Sequence, residues 1–143
     1  MARYATTIAS PWPADEAFAF MADLRNFERW DPGVSSSKLV SGEEPGLGAA
    51  YDVKASGISL RYETLEFAPP SRTVVEARTS LLRSYDVIEV TPTDGGCQVA
   101  YDATLTLSGP LGLVDPLLRL AFDRIGGRAA EGLREALDGE KLT

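Results

Sequence analysis

Histidine is absent from the sequence. Its absence excludes Ser-His-Asp and Cys-His catalysis, histidine-based zinc or iron sites, and the usual general base near neutral pH. Any chemistry here must run on Asp, Glu, Tyr, Arg, Lys or Ser. Cysteine occurs once, as Cys97, so no intramolecular disulfide can form and no thiolate cluster can hold a metal. A small, inert hydrophobe in a strand is the expected role for Cys97. Basic residues are outnumbered 14 to 21 by acidic ones, giving a net charge of −7. With no basic stripe, nucleic acid is not an expected partner. No apolar run approaches the ~18 residues of a membrane helix, so no membrane insertion is expected. Met1-Ala2-Arg3-Tyr4 lacks the apolar core of a secretory signal, and the cytoplasm is the expected location.

What is present fits one domain over residues 1–143, long enough for one real core. Residues 2–9 alternate loosely and read as a first strand. "SPWPADEAFAFMADL" reads as a helix, with Pro13 at its first position, Asp15 and Glu16 in its first turn, and Phe18, Met21 and Ala22 on one face. "RNFERW" predicts a second short helix closed by Asp31-Pro32, since the residue before proline is pushed out of helical geometry. Phe27 and Trp30, three apart, share a face of it.

From Val34 to Leu107 the period becomes two, predicting six strands: "SSSKLV", "AAYDVKA", "ISLRYETLEF", "RTVVEA", "YDVIEV" and "CQVAYDATLTL". "TPTDGG" is a hairpin loop. The unbroken run 73–90 would span ~60 Å if extended, so the chain must turn near Ser80–Arg83. Gly57 and Gly96 are candidates for bends in a curled sheet. After Gly109-Pro110 the helical period returns, with Asp115 as N-cap and a helix running to about Asp138. Leu118, Ala121, Phe122, Ile125, Ala129, Gly132, Leu133 and Ala136 form its apolar stripe. Small residues there either permit close approach or leave space. The segment around Leu117–Phe122 is apolar nearly all round, so it is either deeply buried or meets a partner, for which a second copy of the chain is one candidate. A long antiparallel sheet has one apolar face to cover, and only this last helix is long enough to cover it.

Strand parity sorts the side chains further. Val99, Tyr101, Ala103, Leu105 and Leu107 are assigned inward, as are Tyr51, Val53 and Ala55, then Ile58, Leu60 and Tyr62, then Val75 and Ala77. Leu65 and Phe67 have the opposite parity to Tyr62, which predicts a bulge near Thr64. In "YDVIEV" parity is open, with Tyr85 and Val87 competing against Ile88 and Val90. Asp102, Glu63, Glu76 and Glu89 fall outside or remain unplaced, so no carboxylate pair stands out for acid–base work. Arg128 sits at the edge of the helix stripe, where it could reach an acidic ligand group.

This order of elements resembles the helix-grip fold of the START-related superfamily, and within it the polyketide cyclase/dehydrase family. The resemblance is carried by "SPWPADEAFAFMADLRNFERWDPGV", "YETLEFAPPSRTVVEA" and "DGGCQVAYDATLTLSGPLGLVDPLLRLAFDRIGGRAAEGLREAL". Asp23, Asn26, Phe27, Trp30 and Pro32 occupy the places of a family-like Asn-Phe-x-x-Trp-x-Pro stretch and the Asp before it. The resemblance implies an α+β fold: a curved antiparallel sheet of about seven strands around a long C-terminal helix, with two short helices after strand one. It also implies a cavity between sheet and helix for hydrophobic or aromatic small molecules. Combined with parity, it makes Trp30, Tyr51, Val53, Leu60, Tyr62, Val75, Tyr101, Phe122, Ile125 and Ala129 the candidate cavity lining. No catalytic residue carries over, and neither a metal nor an organic cofactor is expected.

The leading reading is a protein that binds a hydrophobic or aromatic small molecule. One alternative is a cofactor-free cyclase or dehydratase acting on a polyketide-like precursor, with Tyr or a buried carboxylate moving protons. Another is a co-chaperone-like interaction module, for which the acidic balance and the apolar segment 111–122 leave room.

Overall fold

The computed structural model describes residues 1–110 and 115–143. Strand β1 (Ala2–Ser10) leads into helix α1 (Ala14–Ala22), a 3₁₀ turn (Leu24–Asn26) and the short helix α2 (Phe27–Trp30). Six strands follow: β2 (Val34–Ser41), β3 (Ala50–Ala55), β4 (Ile58–Ala68), β5 (Arg72–Arg78), β6 (Leu82–Thr93) and β7 (Gly96–Leu107). Helix α3 (Asp115–Ala136) and a two-residue strand β8 (Glu140–Lys141) complete the chain. The strands form one curved antiparallel sheet in the order β2-β3-β4-β5-β6-β7-β1-β8, eight strands where about seven were expected. The extra one is β8, which pairs with Ile8 and Ala9 of β1 just after α3 ends.

Local chemistry accounts for the turns. Ser56 and Gly57 both adopt positive φ (51° and 79°), which suits a tight hairpin turn between β3 and β4. Gly57 therefore turns the chain rather than bending a strand. The weakly signalled turn after β5 falls at Thr79–Leu81, where the Thr79 hydroxyl accepts from the backbone N–H groups of Leu81 and Leu82, both at 3.1 Å. The register of β4 against β5 shifts between Thr64 and Glu66, the expected bulge. It returns Phe67 to the inner face, 5.6 Å ring to ring from Phe18, but leaves Leu65 exposed.

Helix α1 lays Ala17, Phe18, Met21 and Ala22 into the sheet, with Pro13 one position before the first helical residue. Ile8, Met21, Tyr51, Ile88, Val99, Leu133 and Leu137 are almost wholly excluded from solvent. Apart from Tyr51, whose ring also carries a hydroxyl, each contributes roughly 1.5–3 kcal/mol through burial of its apolar side chain.

Helix α3 packs on β1 and α2. Its buried line is Gly126, Ala130, Leu133 and Leu137, while Ala121, assigned to the stripe, is exposed. The C-terminal half is pressed against its neighbours: a Cβ on Gly132 would lie 1.8 Å from the Trp30 carbonyl oxygen, and one on Gly126 would lie 2.2 Å from the Tyr4 ring. Close approach is the role of these two glycines. Towards its N-terminus α3 spans open space instead, so side chains there turn to a cavity or to solvent. Leu117 and Leu120 are 70% and 60% exposed, so this part of the apolar segment is not deeply buried. Residues 111–114 of that segment, and the expected capping side chain of Asp115, lie outside the described residues.

Candidate functional site

The open space beneath α3 is a cavity of about 270 Å³. Helix α2 supplies one wall. Phe27 and Trp30 stack at 4.9 Å on its inner face, and their rings meet Tyr62 and Tyr101 edge-on at 6.1 and 5.4 Å. Trp30 thus does two jobs, wedging α2 onto the sheet and lining the cavity. Leu118, Phe122, Ile125 and Ala129 of α3 form the roof. Ile125 and Ile58, 41% and 51% exposed, lie at the rim with Ser56. Leu60 and Tyr62 of β4 and Tyr101, Ala103 and Leu105 of β7 supply the inner sheet surface.

Of the candidate residues, Trp30, Leu60, Tyr62, Tyr101, Phe122, Ile125 and Ala129 lie on the cavity wall. Tyr51, Val53 and Val75 do not. They have the expected inward parity but sit in solid core, each at most 1% exposed. Parity chooses a face of the sheet; the short helices choose which part of that face is covered, and the 3₁₀ turn packs over the β2 end. Arg128 is exposed and lines an outer groove between α2 and α3, away from the cavity.

The polar centre of the cavity is a residue that strand parity left unassigned. Asp86 of β6 points inward and is 2% exposed. Its Oδ2 accepts a short hydrogen bond from the Tyr101 hydroxyl, and the Ser84 hydroxyl lies 3.4 Å from Oδ1. Ser84 Oγ is in turn 2.9 Å from the Tyr62 hydroxyl. Tyr62 is paired with Ala77 across β4–β5, and Ala77 with Ser84 across β5–β6, so a methyl side chain lets the phenol reach over a strand. Ala103, directly opposite Asp86, likewise leaves the carboxyl facing the cavity. Hydroxyls and carboxyl form one line: Tyr62, Ser84, Asp86, Tyr101.

Burial pushes the Asp86 carboxyl up to about 7; nearby Asp31 and Asp102 act in the same direction, and the Tyr101 and Ser84 hydrogen bonds oppose it. Asp31, at the end of α2, is the second carboxyl on the wall. Burial raises it as well, against a 2.8 Å hydrogen bond that its Oδ1 accepts from the Gly33 N–H. Burial and then the Asp86 charge raise both phenols, Tyr62 and Tyr101. Chemically, the site offers aromatic walls, two carboxyls of raised proton affinity and, at its polar centre, the hydroxyls of Tyr62, Ser84 and Tyr101. Among the described residues no three carboxylates or thiols converge as a metal ion would require.

Asp86 was legible in principle. The Asp94-Gly95 loop pairs Thr93 with Gly96, and counting back places Ile88 opposite Tyr101. Directly opposed residues share a face. Tyr101 inward therefore requires Ile88, Asp86 and Ser84 inward, the choice that parity along β6 alone left open.

The family model described as "Polyketide cyclase / dehydrase and lipid transport" matches residues 1–138. The chain belongs to this family. The fold of this polyketide cyclase/dehydrase family member recurs in solved structures. A START superfamily protein from Mycobacterium smegmatis aligns with a TM-score of 0.73 at 12% identity, over 96% of this chain and 98% of that one. A protein from Thermus thermophilus gives 0.72 at 21% identity, over 95% of each chain. The di-domain ARO/CYC protein StfQ of the steffimycin biosynthetic pathway gives 0.70 at 14% identity, over 96% of this chain and 51% of that one. At these identities the likeness is one of fold. No curated protein sequence matches the chain. No helix among the described residues is long and apolar enough to cross a membrane.

Proposed function

We propose that the protein binds a hydrophobic or aromatic small molecule in the cavity beneath α3. The observation that carries this reading is the cavity itself: an apolar, aromatic-walled space of about 270 Å³ with a few polar groups gathered at one place. Sites for small molecules have that composition, in which apolar walls supply affinity and a few fixed polar groups set orientation. Family membership supports the same reading. In it, Trp30, Leu60, Tyr62, Tyr101, Phe122, Ile125 and Ala129 contact the ligand, and Asp86 orients its polar group.

A thermal-shift screen of apolar and aromatic compounds tests it, run on the native protein and on Ala129→Phe, whose larger side chain fills the space under α3. Saturable stabilisation of the native protein that is lost in the variant is the expected result. A native protein that no compound stabilises, or equal stabilisation of both proteins, overturns the reading.

One observation favours a second reading, a cofactor-free cyclase or dehydratase. Asp86 is a buried carboxyl titrating near neutrality and hydrogen-bonded to Tyr101, the condition a proton-transfer group needs. Its carboxylate would take a proton from carbon next to a ketone, leaving an enolate that attacks a second carbonyl held nearby in a reactive conformer. The new C–C bond breaks that carbonyl's π bond, and the resulting alkoxide takes the proton back from Asp86. Turnover of a poly-β-keto thioester should then fall in Asp86→Asn and in Tyr101→Phe. Unchanged turnover in both variants rejects these roles.

A further inference from the structure

If the cavity binds a small molecule, the proposal on which this inference rests, its charge balance bears on what that ligand carries. Two carboxyls, Asp31 and Asp86, line the cavity. The hydrogen bonds that reach them come from neutral groups: the Gly33 N–H, the Tyr101 hydroxyl and the Ser84 hydroxyl. Among the described residues, no Lys or Arg side chain lines the cavity. On neighbouring elements, Arg83 pairs with Glu76 at 2.5 Å and Arg25 with Asp23 at 2.8 Å on the outside, and Arg124 and Arg128 of α3 are exposed rather than part of the cavity wall. Whatever negative charge the cavity carries is thus balanced by nothing in its own wall.

The remaining wall is rich in aromatic rings. Phe27, Trp30, Tyr62 and Tyr101 form a continuous cluster through stacked and edge-on contacts, and Tyr4 and Phe122 add two more rings. Such a wall supplies apolar contact area but no balancing charge. A carboxylate ligand would bring a negative charge into a desolvated space that already opposes the ionisation of Asp86 and Asp31, without a cation to receive it. A protonated amine meets the opposite situation: it brings the missing charge and can donate hydrogen bonds to Asp86 and Asp31, which favours their ionised forms.

We propose that the cavity selects apolar or aromatic molecules whose polar group is a protonated amine and discriminates against carboxylic acids, with Asp86 and Asp31 as the specificity-determining residues. The overall charge of −7 adds long-range attraction for such a cation but does not itself locate it.

Three probes on one aromatic body test the assignment: naphthylmethylamine, naphthylmethanol and naphthoate, titrated calorimetrically at neutral pH and moderate salt. The amine is expected to bind about tenfold tighter than the alcohol, and the carboxylate more weakly than either. In the Asp31→Asn/Asp86→Asn double variant, and partly in Asp31→Asn alone, the amine-to-alcohol ratio should fall towards one. Ala129→Phe must abolish the amine's binding, since binding that survives it lies on the acidic surface and overturns the proposal. Alcohol or naphthoate binding as tightly as the amine overturns the amine preference while leaving the cavity reading standing. Saturable binding of none of the three overturns both.

Discussion

The hydroxyl of Tyr101 on β7 donates to Oδ2 of Asp86 on β6, joining two inward-facing residues of adjacent strands where the cavity meets the sheet. Tyr101 is paired with Ile88 and Asp86 with Ala103, so the contact is diagonal across the hairpin. This bond couples the ionisation of a buried acid to the shape of the cavity, and it makes the site's electrostatics measurable through stability.

Asp86 has an ordinary value of 3.8 and rises to about 7 in the folded protein. Between these values the folded state holds a proton that the unfolded state has released, so stability falls as pH rises. Asp86 therefore adds no penalty below about pH 4 and its full penalty above about pH 7, on the order of 4 kcal/mol. Asp86→Asn should remove that slope. In urea titrations at pH 5 and pH 8, the variant's stability relative to the native protein should increase at the higher pH. Equal differences at the two pH values would contradict the buried, raised carboxyl.

Tyr101→Phe removes the donor that holds Asp86 down. The carboxyl should titrate still higher, and the folded protein should lose about 1–3 kcal/mol at pH 8, where Asp86 is left charged with a missing hydrogen bond. The loss should shrink at pH 5, where the acid is neutral. Urea titration of the variant at both values reads the difference.

Two glycines of α3 should respond in opposite directions to alanine. Gly127 has no heavy atom within 4 Å of an added Cβ, so Gly127→Ala should stabilise by roughly 0.5–1 kcal/mol through helix propensity. At Gly132 the same Cβ would sit 1.8 Å from the Trp30 carbonyl oxygen, which cannot yield without moving α2. Gly132→Ala should destabilise by about 1–3 kcal/mol despite the better propensity. Thermal denaturation of the two variants side by side checks the sign of each.

Trp30→Ala deletes a ring 5% exposed that stacks on Phe27 and meets Tyr101 edge-on. A loss of about 3–5 kcal/mol in denaturant unfolding is expected, with Trp30→Phe losing less because the aromatic contact is partly kept. The variant should also lose any ligand response seen in the native protein.

Local signals in the sequence settled much of this molecule. Periodicity of 3.6 and 2, proline and glycine punctuation, and the bulge implied by Tyr62, Leu65 and Phe67 yielded the element order and the inward faces of β3, β4, β5 and β7. Those are properties of neighbours along the chain or of a single strand, so they are written locally. The Asn26–Pro32 stretch and the long terminal helix carried the family resemblance for the same reason. Tertiary structure alone decided which inward residues line space and which are solid core. Tyr51 and Tyr62 sit opposite one another with the same parity, yet only Tyr62 reaches the cavity, because the chain's coverage of the sheet is a long-range property. It likewise decided that Gly126 and Gly132 serve close approach while Ala129 borders open space, since Gly126 meets the Tyr4 ring of β1, Gly132 meets the Trp30 carbonyl of α2, and Ala129 lies between these two contacts. Asp86 stands between these cases. Its direction follows from hairpin register, but its burial and raised proton affinity come from helices α2 and α3 closing water out above the sheet.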